Sequence, residues 1–379
     1  MGDLIPDYLY STVYLILVFV LISLRMNSRN LLIADEDPVV SIRNTWILGI
    51  FFIIFFGTRP TSGVYMTDTA GYVGFYENIL SGAYRVEYNW EHPGEILWLI
   101  IQNEMATMGS SVPMWLSVVA FLYVGANIIG TRLMFPRHTY VVFLFYVTFF
   151  LFYSGGTNGI RNADAYSLVF LAIALYQTSV KLKYIYIVIL CIMGYYIHTS
   201  VIILITAFVL SIYIIKNTRT ALLIWFIAII MSLVAGNYLA GFASGWLDDD
   251  RASRYLDYGT ELANTTEDVI KFRWDFLLFS ALPIFIGWYT TVKLQIENRF
   301  YQILLNTYII ANSVWIVFMY AAFTNRFAML SWCIYPYVTC YPFLKFDMFP
   351  VQQQNKYFNI LFWMMFLLNV GMNFNVYMD

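Results

Sequence analysis

The chain has 379 residues, of which 60% are hydrophobic and only 12% charged, with a formal net charge of −2. Soluble domains average about 25% charged residues, so a soluble core is excluded, and the near-neutral balance gives no electrostatic footprint for nucleic acid. Long unbroken runs such as ALLIWFIAIIMSLVAG from Ala221 lack the in–out alternation of a membrane barrel, which leaves an all-α polytopic membrane protein whose backbone groups are satisfied inside helices.

In chain order, the apolar runs predict spans near 8–24, 44–58, 113–130, 140–154, 163–179, 184–197, 200–215, 220–240, 274–292, 301–323, 327–344 and 357–375. This makes about 12–13 transmembrane helices in a single membrane domain, 1–379. The N-terminus shows no basic n-region and no small-residue cleavage site, so the first run reads as a retained span. Several runs fall short of the roughly 20 residues a bilayer requires, which predicts interrupted helices beside a recessed site. GEILWLIIQNEMATMG, from Gly94, breaks the parity of the spans. It reads as a re-entrant or interfacial helix; a full crossing would invert either the spans before it or those after it. The stretch from Tyr184 to Ile215 is too long for one span, so a turn near Tyr196 to Ser200 divides it and brings His198 to a membrane face.

Two connections are substantial. The first, 59–93, contains TDTAGYVGFYENILSG, where Asp68 is placed to cap a short interfacial helix with Tyr72, Phe75, Tyr76 and Ile79 on one face. The second, 241–273, is the most polar stretch of the chain, and its Asp248, Asp249 and Asp250 read as a solvated cap or a lid. No internal repeat and no separate soluble domain is visible.

The basic residues divide unevenly between the two faces. Arg25, Arg29, Arg43, Arg132, Arg137, Lys181, Lys183, Lys216, Arg219, Lys293, Arg299, Lys345 and Lys356 fall in one set of connections, assigned to the cytoplasm. The other set, assigned to the exterior, holds Arg59, Arg85, Arg161, Arg251, Arg254, Arg273 and Arg326 with Lys271 as its one lysine. Arginine grips phosphate in a planar, bidentate way and stays charged when desolvated. The surplus therefore points to an anionic, phosphate-bearing ligand at that face.

Each candidate has a structural alternative. Arg161 follows GGTNG at a helix start, where the dipole favours anions; otherwise it is an interfacial anchor. Arg326 sits in a short turn between apolar spans, where charge is costly. Arg59 grips an anion or snorkels. Arg251 and Arg254, three apart, share a helix face or pair with Asp248 or Asp257. For proton transfer, Asp68 is a base or a helix cap, and His198 a base or a buried histidine holding its turn. His92 and Glu95 in EHPGE form a third cluster, for which capping beside Pro93 is the alternative. Tyrosines and tryptophans, with 20% aromatics overall, stack on sugars or form interfacial belts. Cys191, Cys333 and Cys340 lie inside apolar runs and read as small buried hydrophobes. No metal-ligand spacing occurs, so no cofactor is expected and a divalent cation is not indicated.

The ordered set GTRPTSGVYMTDTAGYVGFY from Gly57, GIRNADAYSLVFLAIALY from Gly159, IHTSVIIL from Ile197 and TNRFAML from Thr324 resembles the EpsG-like branch of the Wzy-type bacterial polysaccharide polymerases. The matching positions are Arg59, Asp68, Thr69 and Tyr72, then Arg161 and Ala165, then His198 and Ser200, then Arg326 and Phe327, with Asn325 beside them. Asn162 stands where that family usually has glutamine, and Asp164 follows it. The resemblance implies a GT-C-like glycosyltransferase of the bacterial inner membrane, active at its periplasmic face. It would polymerise polyprenyl-pyrophosphate-linked oligosaccharide repeats into an O-antigen, capsule or exopolysaccharide, with undecaprenyl-pyrophosphate-linked donor and acceptor and a chain-length regulator protein as partners. Such a transfer needs a base for the acceptor hydroxyl and neutralisation of the departing diphosphate. Asp68 or His198 would supply the first, and Arg161, Arg326 and Arg59 the second. A flippase for the same lipid-linked sugars and a membrane polysaccharide acyltransferase are the rival readings. The first predicts ionisable residues across the helix midplane rather than at helix ends. The second predicts an early basic motif and an early histidine.

Overall fold

A computed structural model describes residues 5–28, 31–90, 94–246, 272–320 and 324–375, with the backbone alone for 237, 239–246, 324, 325, 374 and 375. The chain divides into two compact units: Met1–Ile202 with Phe343–Asp379, and Ile203–Pro342. The first unit begins with α1 (Asp7–Ser28), α2 (Pro38–Gly57), α3 (Thr67–Leu80), α4 (Ile96–Thr107) and α5 (Val112–Met134). It continues with α6 (Thr139–Val147), α7 (Phe150–Thr157), α8 (Ile160–Tyr176) and α9 (Lys183–Ile197). Then follow α10 (Ile202–Tyr213), α11 (Thr218–Trp246), α12 (Trp274–Trp288), α13 (Arg299–Val317), α14 (Thr324–Trp332) and α15 (Tyr335–Lys345). The last helix, α16 (Val351–Asn375), belongs to the first unit. No strand occurs among the described residues, as the apolar runs predict.

Helix starts follow local chemistry. Asp37 caps α2, accepting from the backbone N–H of Val39 at 2.8 Å and Val40 at 3.0 Å, with Pro38 opening the helix. Asn298 caps α13 by accepting from Tyr301 N–H at 2.8 Å. Among the described residues six helices have the length and apolarity to cross a membrane, or seven if α6 and α7, bent by 73° at Phe149, together make one span. The chain is thus a multi-pass membrane protein. The remaining apolar runs fold into shorter or broken helices. Run 140–154 breaks at Phe149, whose backbone is extended, and run 327–344 breaks between Trp332 and Tyr335. Run 220–240 is bent at Ala235, where φ is −135°. The 12 residues of α4 extend about 18 Å at 1.5 Å per residue, short of the roughly 30 Å hydrocarbon core. That length agrees with a re-entrant or interfacial element and not with a crossing.

The first unit keeps the two charge sets apart. At the start of α2, Arg25 forms a buried ion pair with Glu36, and Ser41 Oγ donates to the other oxygen of Glu36 at 2.6 Å. Nearby, Arg137 pairs with Asp35 at 2.8 Å, and Asn355 of α16 accepts from Leu32 N–H at 2.6 Å. Arg59 and the residues around it lie beyond the other end of α2, 20 residues away, or about 30 Å along the helix.

Close approach between helices depends on missing side chains. A Cβ on Gly57 would lie 2.8 Å from the backbone Cα of Ser117 on α5 and nearer still to its hydroxyl. Backbone cannot retreat as a flexible side chain does. Gly57→Ala is expected to destabilise the protein by about 1–3 kcal/mol. Gly71→Ala, on α3 with nothing within 4 Å, is expected to be neutral or to stabilise by about 0.5–1 kcal/mol. Thermal melts of the two variants in detergent check the contrast.

Candidate active site

One corner of the first unit is built by α3, α4, α8 and α9. Alpha-helix α9 ends at Ile197, and His198 follows with extended backbone (φ −153°, ψ 113°) before a 3-10 turn, Thr199–Val201. The expected turn therefore falls on His198 itself. Gly194, in the last turn of α9, allows that helix to press on α8, since a Cβ there would stand 3.0 Å from the carbonyl oxygen of Ala165. His198 is thereby held over the start of α8, where Arg161 is the second residue.

Glu95 precedes the first residue of α4. Its Oε1 lies 2.5 Å from His198 Nδ1, and its Oε2 accepts from Arg161 Nη1. All three side chains are largely buried, between 11% and 17% exposed. With the carboxylate ionised, Nδ1 of His198 is the donor and Nε2 carries the ring's lone pair. This is the arrangement that orients a histidine base. Arg161 also lies over the ring of Tyr72, 5.3 Å from its centroid, and its Nε has no hydrogen-bond partner among the described residues.

An aromatic frame fixes the carboxylate. Trp98, three residues after Glu95 and 2% exposed, meets Tyr72 edge-to-face at 5.5 Å and Trp115 of α5 at 6.1 Å. Trp115 stacks on Tyr76 at 4.5 Å, and Tyr76 OH donates to Ser110 O at 2.9 Å. Tyr72 and Tyr76 face the frame as expected. The buried stripe of α3 is Thr69, Val73, Tyr76 and Ile79, with Tyr72 and Phe75 at its half-buried margin.

Other candidates take different places. Asp68 is not a cap: Met66 precedes α3 without a side-chain cap, and Asp68 lies within the first turn. Its backbone N–H donates to Asn158 Oδ1 at 2.9 Å, so the sequence's Asp-Thr start is held by a side chain from beyond α7. Arg59 does not snorkel. It is 4% exposed, donating to Phe56 O at 2.5 Å and to Thr69 Oγ1 at 3.1 Å, while Thr69 Oγ1 donates to Thr157 O at 2.6 Å. Burial pushes the Arg59 guanidinium down to about 10, opposed first by Tyr10, then by Tyr153 and Asp164, and it remains cationic at neutral pH. Arg326 is the third residue of α14, in the other unit. The side chain of Asn325 and all of His92, Arg251 and Arg254 lie outside the described residues. No three of His, Cys, Asp and Glu gather as a metal set among the described residues.

The model of the EpsG family matches residues 44–378. The chain belongs to the EpsG family. Membership bears out the resemblance carried by Arg59, Asp68, Arg161, His198 and Arg326, and with it a polysaccharide-polymerase or glycosyltransferase-like role. No curated protein and no solved structure matches the chain. In this EpsG-family chain, sequence reasoning named Glu95 only as part of EHPGE and missed its partners. It stands 103 residues from His198 and 66 from Arg161, distances at which no local pattern operates. Asn158 and Trp98 were missed for the same reason. Asp164 carried a signal, an acid within an apolar run, and was read only as a departure from the family pattern.

Proposed function

We propose that this chain is a glycosyltransferase that extends polyprenyl-diphosphate-linked oligosaccharides into a surface polysaccharide at the periplasmic face of the bacterial inner membrane. The observation that supports it is the shared carboxylate: one glutamate joins a histidine and an arginine drawn from two other helices of an EpsG-family chain.

In this reading, Nε2 of His198 takes the proton of the acceptor hydroxyl. The acceptor oxygen forms the new bond to the anomeric carbon of the donor. The bond from that carbon to the diphosphate oxygen breaks, and the electron pair leaves with the diphosphate. Glu95 is a positioning residue that holds Nδ1–H and stabilises the imidazolium. Arg161, with Nη1 on Glu95 and Nε lacking a partner among the described residues, faces the developing negative charge of the leaving group. Arg326 and Arg59 are assigned cationic roles by the family motif, the latter from a buried position. His198 is preferred to Asp68 as the base because Glu95 orients its imidazole through Nδ1.

Purified full-length protein in liposomes, given a diphosphate-linked repeat unit, is expected to produce lipid-linked glycans that grow by whole repeats in mass spectra. Movement of the lipid across the bilayer without bond formation would instead make the protein a transporter.

A further inference from the structure

Asn158 stands at the junction between α7 and α8, and it joins three helices. Its backbone N–H donates to Ser154 O at 2.9 Å, closing α7, and its carbonyl accepts from Ile160 N–H at 2.9 Å, where α8 begins. Its side chain leaves both helices: Oδ1 accepts from the backbone N–H of Asp68 at 2.9 Å. That N–H belongs to the first turn of α3, where a helix leaves its donors without internal partners. Met66, before α3, makes no side-chain cap, so a residue 90 positions away does this work.

The neighbouring pair repeats the link. Thr69 Oγ1 donates to Thr157 O at 2.6 Å, and both residues are buried. Residues 68 and 69 of α3 are thus held by residues 158 and 157 of the junction. One bond fixes a distance. Two at successive residues also fix how α3 is turned about its own axis. The junction is itself firmly seated: a Cβ on Gly156 would lie 2.4 Å from the ring of Phe56, and one on Gly155 would lie 3.0 Å from Cβ of Ala163 on α8.

Both sides of the clamp lead to the candidate site. Arg161 follows Asn158 within the first turn of α8. Tyr72 lies one turn after Asp68 and Thr69 on α3, and its ring lies under the Arg161 guanidinium, 5.3 Å from centroid to Cζ. An arginine held by one carboxylate still rotates about its long stem, and an aromatic ring beneath it fixes the guanidinium plane.

We propose that Asn158 is a positioning residue for glycosyl transfer: with Thr157 it clamps the first turn of α3, so that Tyr72 is seated under Arg161 and orients its guanidinium. The proposal rests on the assignment of Glu95, His198 and Arg161 as the catalytic cluster.

The test uses full-length protein in detergent carrying Asn158→Ala, Asn158→Asp, Tyr72→Leu, and Asn158→Ala combined with Tyr72→Leu. Amide hydrogen exchange across 67–72 is read first. Asn158→Ala is expected to speed exchange at Asp68 about tenfold, and Asn158→Asp, whose carboxylate oxygen still accepts, to restore protection. Polymer synthesis is read second. Asn158→Ala is expected to lower kcat about tenfold with KM within about twofold, because a misplaced group acts on the transition state. Asn158→Asp is expected to regain most of kcat. In the Tyr72→Leu background, Asn158→Ala should change kcat by less than about twofold, since its effect passes through that ring. Losses that multiply in the combined variant, wild-type kcat in Asn158→Ala, or unchanged exchange at Asp68 would overturn the proposal. If Asn158→Ala cannot be recovered as folded protein, Thr69→Val, which removes the second bond, takes its place in the same cycle. If that variant also fails to fold, the junction serves stability alone and the proposal falls. His198→Ala is assayed alongside. Full activity there would remove the catalytic assignment underneath, and exchange at Asp68 would still decide whether Asn158 holds α3.

Discussion

Replacing Glu95 with glutamine is expected to lower polymer synthesis by about 10²–10⁴-fold while the protein remains folded. The size follows from the inventory of donors. Glutamate offers an acceptor to each neighbour, one oxygen to His198 Nδ1 and one to Arg161 Nη1. Glutamine has a single carbonyl oxygen. Arginine has no acceptor at all, so the oxygen turns to Arg161 and the amide N–H groups turn to the imidazole. Nδ1 must then accept, the proton moves to Nε2, and the nitrogen needed as base is occupied. His198→Ala should show a loss of the same order, and the combined variant should be no worse than the worse single change, because the two residues act as one unit. Rates of glycan growth on a diphosphate-linked repeat measure all three. Independent losses that multiply in the combined variant would mean that Glu95 does not act through His198.

The second large effect is expected at Arg161. Arg161→Gln should abolish long chains and leave single repeats on their carrier, visible as loss of the glycan ladder on a gel with the lowest band retained. The change removes a charge with two contacts, Nη1 on Glu95 and the guanidinium over Tyr72, and an Nε without a partner among the described residues. Loss of one preorganised donor to a developing anion costs roughly 10²–10³ in kcat, and here the orientation of Glu95 is lost as well. Arg161→Lys should recover little, because a point charge on a flexible stem replaces neither the planar fork nor the stacking on Tyr72. Full-length polymer from the lysine variant would show that charge alone suffices and that the fork geometry is incidental.

These expectations concentrate the chemistry on fewer residues than the arginine-rich face suggested. Arg59 and Arg161 both stand at helix ends, yet Arg161 is the one bound to Glu95 beside His198. Arg59 is folded inward by Phe56 O and Thr69. The difference arises because Gly57 brings the end of α2 close to α5, and the chain that follows is covered by the start of α3. A snorkelling arginine needs water at its tip, and Arg59 is 4% exposed.

The sequence by itself determined the helical membrane class, the family and the break at His198. These are properties of composition, of period and of motifs carried by neighbours along the chain. It also singled out Arg161 and His198, since ionisable groups beside apolar runs are costly to place without a purpose. Only the tertiary structure decided that Glu95 joins them and that Asn158 holds the start of α3. The physical reason is range. Capping, amphipathic spacing and turn chemistry act over a few residues, whereas a bridged carboxylate is created when separate helices pack, and side chains remote along the chain acquire a common environment.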